Sequence, residues 1–422
     1  MADLKKQKIF SRKEFELLAP VGSYESLMAA IQGHADAVYF GIGKLNMRSK
    51  STNNFTTHDL RNIVGICKEN NVKAYVTVNT VMYDDEMEDM KNLLNSCKEN
   101  DVNAIIASDI SALEYAKSIQ LETHISTQQN ISNFEAVKFF SNYANVVVLA
   151  RELNMNQVSA IYNKIIEENV LGLDGKPLRL EMFVHGALCM AISGKCYLSL
   201  HEYNRSANKG ECLQICRRAY TVTDKETQAQ LDIDQEYIMS PKDLCTISFL
   251  DKMIDAGVHV FKIEGRARSA EYVKTVCECY NEALIAICEQ SYSQDKIDNW
   301  MRKLSAVYNR GYWDGYYLGK RLGEWSEVYG SKATKRKIYV GKVMNYFSKL
   351  GVAEILMETQ TLSVGDEVLI IGPTTGVIEN QVMEIRVNLV SCDQTKKGDT
   401  FSMPVPATVR RSDKLYKLID NP

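Results

Sequence analysis

The chain of 422 residues carries 45% hydrophobic and 24% charged side chains, which is too apolar for disorder and long for one average domain. Fifty basic residues against 53 acidic ones leave a formal charge of −3, so no global field recruits polyanions. Twenty-three glycines and seven prolines exclude collagen-like or linker-dominated sequence.

From the N-terminus, short apolar runs alternate with amphipathic stretches. Eight runs read as strands: 16–19, 37–40, 73–78, 103–107, 122–126, 146–150, 179–184 and 259–263. Several, such as VVVL at 146–149, are apolar throughout, as strands covered on both faces are. Residues 23–32, 57–70, 84–100, 110–119, 133–141 and 154–169 carry helical periodicity between them. The alternation predicts an α/β fold, a TIM-like (β/α)8 barrel over residues 1–270. An open doubly wound sheet is the alternative, but no Gly-rich fingerprint follows the first strand. In a barrel, function sits where strands end. Those ends carry Pro20, Gly41, Asn79, Asp109, Ser126, Thr127, Gln128, Arg151, His185, Gly186, Glu264, Gly265 and Arg266. Asn79, Asp109 and Ser126 can equally serve as helix N-caps.

The alternation breaks at 185–245, a polar insertion with five cysteines. A helical extension follows at 271–330, with helical stretches at 271–290 and 295–307 and an aromatic segment, YNRGYWDGYY, at 308–317. The basic stretch 332–337 reads as a linker. Runs at 338–343, 351–357, 366–371, 381–387 and 400–405, with turn signals between them, predict a small C-terminal β-barrel over 336–422. From Ser331 onward, 13 basic residues face 10 acidic ones, a mildly basic balance compatible with RNA.

Residues 1–10 are basic and polar, without the apolar core of a secretory signal, and no apolar run approaches the ~18 residues of a membrane span. A cytoplasmic protein with reduced thiols is expected, which makes its 11 cysteines free core residues or metal ligands. Cys189, Cys196, Cys212 and Cys216 fall within the insertion, with six, fifteen and three residues between them. Three readings stand: a structural zinc site, which lacks the usual tight pairs; unligated thiols in a packed loop; and an iron–sulfur cluster. Lys195, Lys209, Arg217 and Arg218 would offset the charge of four thiolates, and Cys245 is a spare or alternative ligand. Cys67, Cys97, Cys277, Cys279, Cys288 and Cys392 lie in regular patterns and read as small core hydrophobes. His201-Glu202 has no second histidine at zinc-protease spacing, and neither a G-x-S-x-G elbow nor a phosphate loop is present. The residues alone describe a barrel with a Cys-rich insertion, a redox metalloprotein by its thiols.

The stretch EMFVHGALCMAISGKCYLS at 181–199 closely resembles the signature of the collagenase-like peptidase family of unknown catalytic type, U32. The resemblance extends through NKGECLQICRRAY at 208–220, SPKDLC at 240–245, FKIEGR at 261–266, ELLAPVG at 16–22 and ADAVYFG at 35–41, in order along the chain. It implies oxygen-independent hydroxylation, known in the family for ubiquinone synthesis, ribosomal RNA cytidine and the tRNA wobble uridine. The appended β-domain, similar to the second domain of translation factors, points to the tRNA branch, which forms 5-hydroxyuridine. The same resemblance implies a 4Fe-4S cluster on Cys189, Cys196, Cys212 and Cys216. One family pattern uses a later cysteine in place of the last, which keeps Cys245 open. Also implied are a prephenate-type metabolite as hydroxyl donor, the anticodon loop of tRNA as partner, and for some members a shorter paralogue.

On that reading Arg48, Arg151 and Arg266 bind the metabolite's carboxylates, with Asn79 and Gln128 as further substrate contacts. His124, His185 and Glu264 are candidate proton-transfer groups. Lys262 binds phosphate or carboxylate, unless strand alternation turns it into the barrel as a structural ion-pair partner. Tyr39 and Tyr197 are either base-stacking groups or buried core. A peptidase and a non-enzymatic RNA-binding or assembly factor with a structural metal are the rival functions.

Overall fold

Seven parallel strands open the chain: β1 (Glu16–Pro20), β2 (Ala37–Gly41), β3 (Lys73–Val78), β4 (Ala104–Ala107), β5 (Thr123–Ile125), β6 (Val146–Val148) and β7 (Arg179–Gly186). Helices α1 (Tyr24–Gln32), α2 (Thr57–Glu69), α3 (Met87–Glu99), α4 (Ile110–Ser118), α5 (Phe134–Phe140) and α6 (Met155–Glu167) alternate with them. After β7 come α7 (Leu198–Tyr203), a hairpin of β8 (Val222–Thr223) and β9 (Gln230–Leu231), β10 (Asp243–Cys245) and α8 (Leu250–Asp255). Strand β11 (Val258–Ile263) then pairs in parallel with both β7 and β1 and closes an eight-stranded barrel. The computed structural model describes residues 10–50, 54–228, 230–231, 237–320, 323–328 and 330–421.

Helix boundaries follow local chemistry. Ser23, Asp109, Asn133 and Asn154 cap α1, α4, α5 and α6 by accepting backbone N–H groups. Of the three residues with a possible capping role, only Asp109 caps through its side chain; Asn79 instead accepts the Met47 N–H at 3.1 Å. At the other ends, Asn71, Asp101, Gln120 and Asn169 turn left-handed two residues past their helices. The next amide reaches back into the last turn, as Val72 does to the Cys67 carbonyl at 2.9 Å and Val102 to that of Cys97 at 3.0 Å. The turns at Asn71, Asp101 and Gln120 each deliver a buried apolar residue, Val72, Val102 and Leu121, to the start of the following strand.

The insertion closes on itself, because β10 runs antiparallel to the end of β7, Cys245 opposite His185. Helices α9 (Ala270–Cys288) and α10 (Gln294–Ala306) follow, and the aromatic segment then returns as β12 (Tyr312–Trp313) beside β10. Cys67, Cys97, Cys277 and Cys279 are buried; Cys288 and Cys392 are half-buried. Burial pushes the Cys67 and Cys97 thiols up to about 12, so both pack as neutral side chains.

Strands β13 (Lys335–Phe347), β14 (Val352–Met357), β15 (Glu367–Gly372), β16 (Gly376–Gln381), β17 (Ile385–Val387), β18 (Val390–Cys392), β19 (Thr400–Pro404) and β20 (Lys414–Asp420) form a separate antiparallel sheet with its own core. Lys335, Arg336 and Lys337, expected in a linker, are the first residues of β13. Leu369, Ile371 and Val377 join the barrel's core rather than the sheet's. Beside them the Gln32 amide of α1 donates to the Thr375 carbonyl and accepts the Val377 N–H, both at 2.9 Å. Lys274–Glu379 and Lys337–Glu271, both 2.8 Å, complete the seam.

Candidate functional site

Below the barrel mouth lies a polar interior. Glu16, nearly buried, accepts from Lys73 at 2.7 Å and from Tyr75 at 2.8 Å, with Arg179 at 3.4 Å. His124 is fully buried there, its ring 3.6 Å from Glu181 and 3.7 Å from Glu122. Burial opposes its charging, but Glu122, Glu181 and Glu16 outweigh that and raise its pKa. Glu181 also receives the Lys262 ammonium at 2.6 Å, the structural ion pair anticipated for that lysine. His124 is thus an interior group and does not face the cavity above.

His185 also lies elsewhere. Along β7 the register with β11 shifts between Lys262 and Ile263: Phe183 pairs with Lys262 and His185 with Ile263, leaving Val184 extra. This bulge reverses the alternation. Phe183 faces the cavity, whereas His185 packs outside the barrel against Tyr272, Tyr280 and Tyr312. Burial, with Arg268 adding to it, pushes its pKa down to about 3.

The two histidines therefore have opposite linkage. His124, raised in the fold, contributes stability below pH ~6.5 that is lost as pH rises through its folded pKa. His185, depressed, contributes stability above pH ~6.5 that is lost as pH falls towards its folded value, on the order of 5 kcal/mol over the full range. Urea midpoints followed against pH should show a flatter acid limb for His185→Leu and a flatter neutral-to-alkaline limb for His124→Phe. Unchanged profiles in both variants would contradict these placements.

Above the interior network a cavity of about 190 Å³ opens at the strand ends. Its floor is Tyr39, Ile106, Phe183 and Lys262; its walls include Thr77, Asn79, Ser126, Gln128, Arg151, Glu264 and Arg266. The insertion forms the remaining wall with Cys189, Cys196, Cys212 and Cys216. Left-handed Gly194, Gly210 and Gln214 bend the chain between these thiols. At Gly210 a Cβ would fall 2.2 Å from the Asn46 carbonyl, so only glycine fits that turn. Cys245 does not join them: its thiol sits 3.8 Å from both the Tyr280 hydroxyl and the Met301 sulfur.

Charge is the cavity's dominant property. Arg48, Arg151, Arg217, Lys262, Arg266, Arg268 and Arg310 line it, against the single carboxylate of Glu264. Four of these cations are offset: Lys262 by Glu181, Arg48 by Glu264 at 2.9 Å, and Arg268 and Arg310 by buried Asp243 at 4.0 and 3.4 Å. Arg151, Arg217 and Arg266 have no carboxylate at ion-pair distance among the described residues. Arg217 is spent on the carbonyls of Leu188 and Pro241 and the Ser240 hydroxyl. Arg151 touches only the Ala187 carbonyl at 3.4 Å and lies over the Phe183 ring. Arg266 donates to Asn46 and Thr77 at 3.1 and 2.9 Å, while its buried Nε makes no hydrogen bond. Burial lowers the Arg266 pKa to about 10, which leaves it protonated at neutral pH. Glu264 is held ionised despite burial by Arg48, Arg266 and Arg151.

Of the residues singled out from sequence, Arg48, Asn79, Gln128, Arg151, Lys262, Glu264, Arg266 and the four insertion thiols meet at this cavity. Arg268, Arg310 and their anchor Asp243 were not anticipated there. Arg310 arrives only because β12 returns to β10, a pairing no short motif announces. Burial pushes the Cys216 thiol up to about 11, with the other three thiols adding and Arg217 opposing. Their sulfurs are not gathered at one point: among the described residues no three His, Cys, Asp or Glu side chains are close enough to hold a metal ion. Among these residues no helix is long and apolar enough to cross a membrane.

Residues 22–327, from the end of β1 to the return of β12, match the family model described as Peptidase family U32. The chain belongs to peptidase family U32. A U32 relative from Porphyromonas gingivalis named collagenase is 59% identical over 404 residues, covering 96% of this chain and 98% of its own length. A protein of Bacillus subtilis named as a tRNA hydroxylation protein is 33% identical over 369 residues, 86% of this chain and 84% of that one. A 23S rRNA 5-hydroxycytidine synthase of Escherichia coli is 33% identical over 321 residues, 74% of this chain and 47% of that protein. This U32 chain is therefore similar both to proteins named for RNA hydroxylation and to proteins named for proteolysis.

Proposed function

We propose that the protein hydroxylates RNA without dioxygen, forming 5-hydroxyuridine at the tRNA wobble position, with a prephenate-type dicarboxylate as hydroxyl source. The observation that carries this reading is the cation-rich cavity, in which Arg151 has no carboxylate at ion-pair distance among the described residues and the buried Nε of Arg266 makes no hydrogen bond. Guanidinium forks match carboxylates bidentately, so these two arginines would hold the metabolite. A wobble base is already unpaired in the anticodon loop and can enter a barrel mouth without melting a helix. Glu264, kept ionised by its three arginines and the one carboxylate lining the cavity among the described residues, would take up the proton lost from C5. The metabolite's carbon–oxygen bond breaks with its electron pair left on carbon, so that the metabolite is reduced as the base is oxidised. Asn79 and Gln128, bonded to each other at 3.2 Å, offer amide groups to the edges of the base.

The donor set suits an iron–sulfur cluster: four soft thiols on one wall, no carboxylate among them, and Arg217 and Arg48 close enough to offset thiolate charge. Cys189, Cys196, Cys212 and Cys216 would hold a 4Fe-4S cluster on that wall. Such a group would supply a one-electron redox centre beside the substrates.

Peptidase activity is the second reading, favoured by the name of the 59% identical relative. It needs a nucleophile beside a base, and no histidine lines the cavity among the described residues. Ser126 and Ser193 both face the Gln128 amide instead. The deciding measurement is mass spectrometry of tRNA nucleosides from cells lacking this protein. Loss of 5-hydroxyuridine, restored by the wild-type chain, is the expected result. An unchanged nucleoside profile together with peptide hydrolysis by the purified chain would replace this reading with the second.

A further inference from the structure

The wall that carries the thiols has a second face. Along 189–198 and 212–216 most residues line the cavity, while Ile192, Tyr197 and Leu213 turn away from it into solvent. Ile192 and Leu213 are 44% exposed and Tyr197 is 74% exposed, next to Cys196. Met190, which does line the cavity, is itself 43% exposed, and Tyr203 stands at the end of α7 with 47% of its surface in water. Arg218 lies over the Tyr203 ring, 5.5 Å from its centroid, and donates to its hydroxyl at 2.9 Å. The outer rim of this wall thus presents two exposed tyrosines, a guanidinium hydrogen-bonded to the hydroxyl of one of them, and three exposed aliphatic side chains.

We propose that this rim is a stacking platform for the unpaired nucleobases that flank the target nucleotide of a single-stranded RNA loop. The inference rests on the RNA reading and deepens it, by naming the surface that holds the strand while one nucleotide enters the cavity. Three observations favour RNA over a protein partner. Protein interfaces are depleted of charge at their centres, whereas the cavity beside this rim holds Arg151, Arg217 and Arg266 with no carboxylate at ion-pair distance among the described residues. Exposed Lys195 and Arg218 accompany the rings, with Arg205 ion-paired to Glu211 at 3.3 Å, so phosphates passing the rim meet positive charge at Lys195 and Arg218. Ring faces paired with guanidinium planes bind any base, since every base offers a π-face.

The test is fluorescence anisotropy of the full-length chain, purified anaerobically, with a labelled anticodon stem-loop and with a fully paired duplex of equal length. Wild-type protein should prefer the stem-loop. Tyr197→Ala and Tyr203→Ala should each weaken stem-loop binding about tenfold and leave duplex binding unchanged, while Tyr197→Trp retains wild-type affinity. Because Tyr197 is largely exposed, thermal melts of its variants should overlay the parent. Alanine variants that bind the stem-loop as tightly as wild type overturn the platform and leave the RNA reading standing. Wild-type protein that binds neither RNA removes both. Variants that keep RNA affinity but lose association with a protein partner reassign the rim to that partner.

Discussion

Cys212→Ala is expected to reduce RNA hydroxylation to the level of a protein-free control and to bleach the visible absorption of anaerobically purified protein. Cys212 lines the cavity beside three other thiols, within electrostatic reach of Arg48 and Cys216. One thiolate fewer leaves a four-ligand cluster incomplete. The matched control is Cys245→Ala. That thiol is enclosed by Tyr280 and Met301, so its loss should cost about 1 kcal/mol of stability through a small cavity while colour and activity survive. The pair of variants separates ligation from packing. Full activity in colourless Cys212→Ala protein would end the redox-cluster reading, whereas loss of colour in Cys245→Ala would bring Cys245 into the ligand set.

Arg266→Ala should lower kcat/KM for RNA hydroxylation by about 30- to 3,000-fold, the effect of truncating a buried, hydrogen-bonded charge. Two effects combine. The fork that would receive a carboxylate is lost, and Asn46 and Thr77 lose the donor that orients them. Arg266→Lys restores a charge but not a planar fork, so it should remain impaired by tenfold or more. The defect should also appear as a raised KM for the metabolite. An Arg266→Ala enzyme with wild-type kcat/KM would place the metabolite's carboxylates elsewhere, with Arg151 the remaining candidate.

The barrel was legible because its strands are apolar on both faces, as at Val146, Val147 and Val148, all fully buried. Arg48, Arg151, Arg266 and the four cysteines were legible because the loops that follow barrel strands converge at one end; Arg268 and Arg310 were not anticipated. The histidines were not. His185 needed one extra residue, Val184, to be turned outward, and a β-bulge leaves no mark on hydrophobic periodicity. His124 is one residue below the end of β5, and depth along a strand separates an interior network from a cavity floor. Tyr197 was weighed as buried core, the common fate of an aromatic in an apolar context, yet its loop turns it into water. Strand β20 went unread because Lys414, Lys417 and Asp420 resemble a solvated tail, although Leu415 is fully buried and pairs with Gly341 and Ile370 in the sheet.

The cavity's floor has a kinetic meaning. Tyr39, Ile106, Phe183 and Lys262 close it from beneath, and the ion-paired interior fills the barrel below. Among the described residues, reactants therefore share one doorway. On the proposed function, a macromolecule seated over that doorway would bar a small molecule from entering or leaving, which predicts an order: metabolite first, polymer second, and the spent metabolite released only after the polymer departs. Saturating polymer should then slow exchange of a bound small anion rather than compete with it at equilibrium.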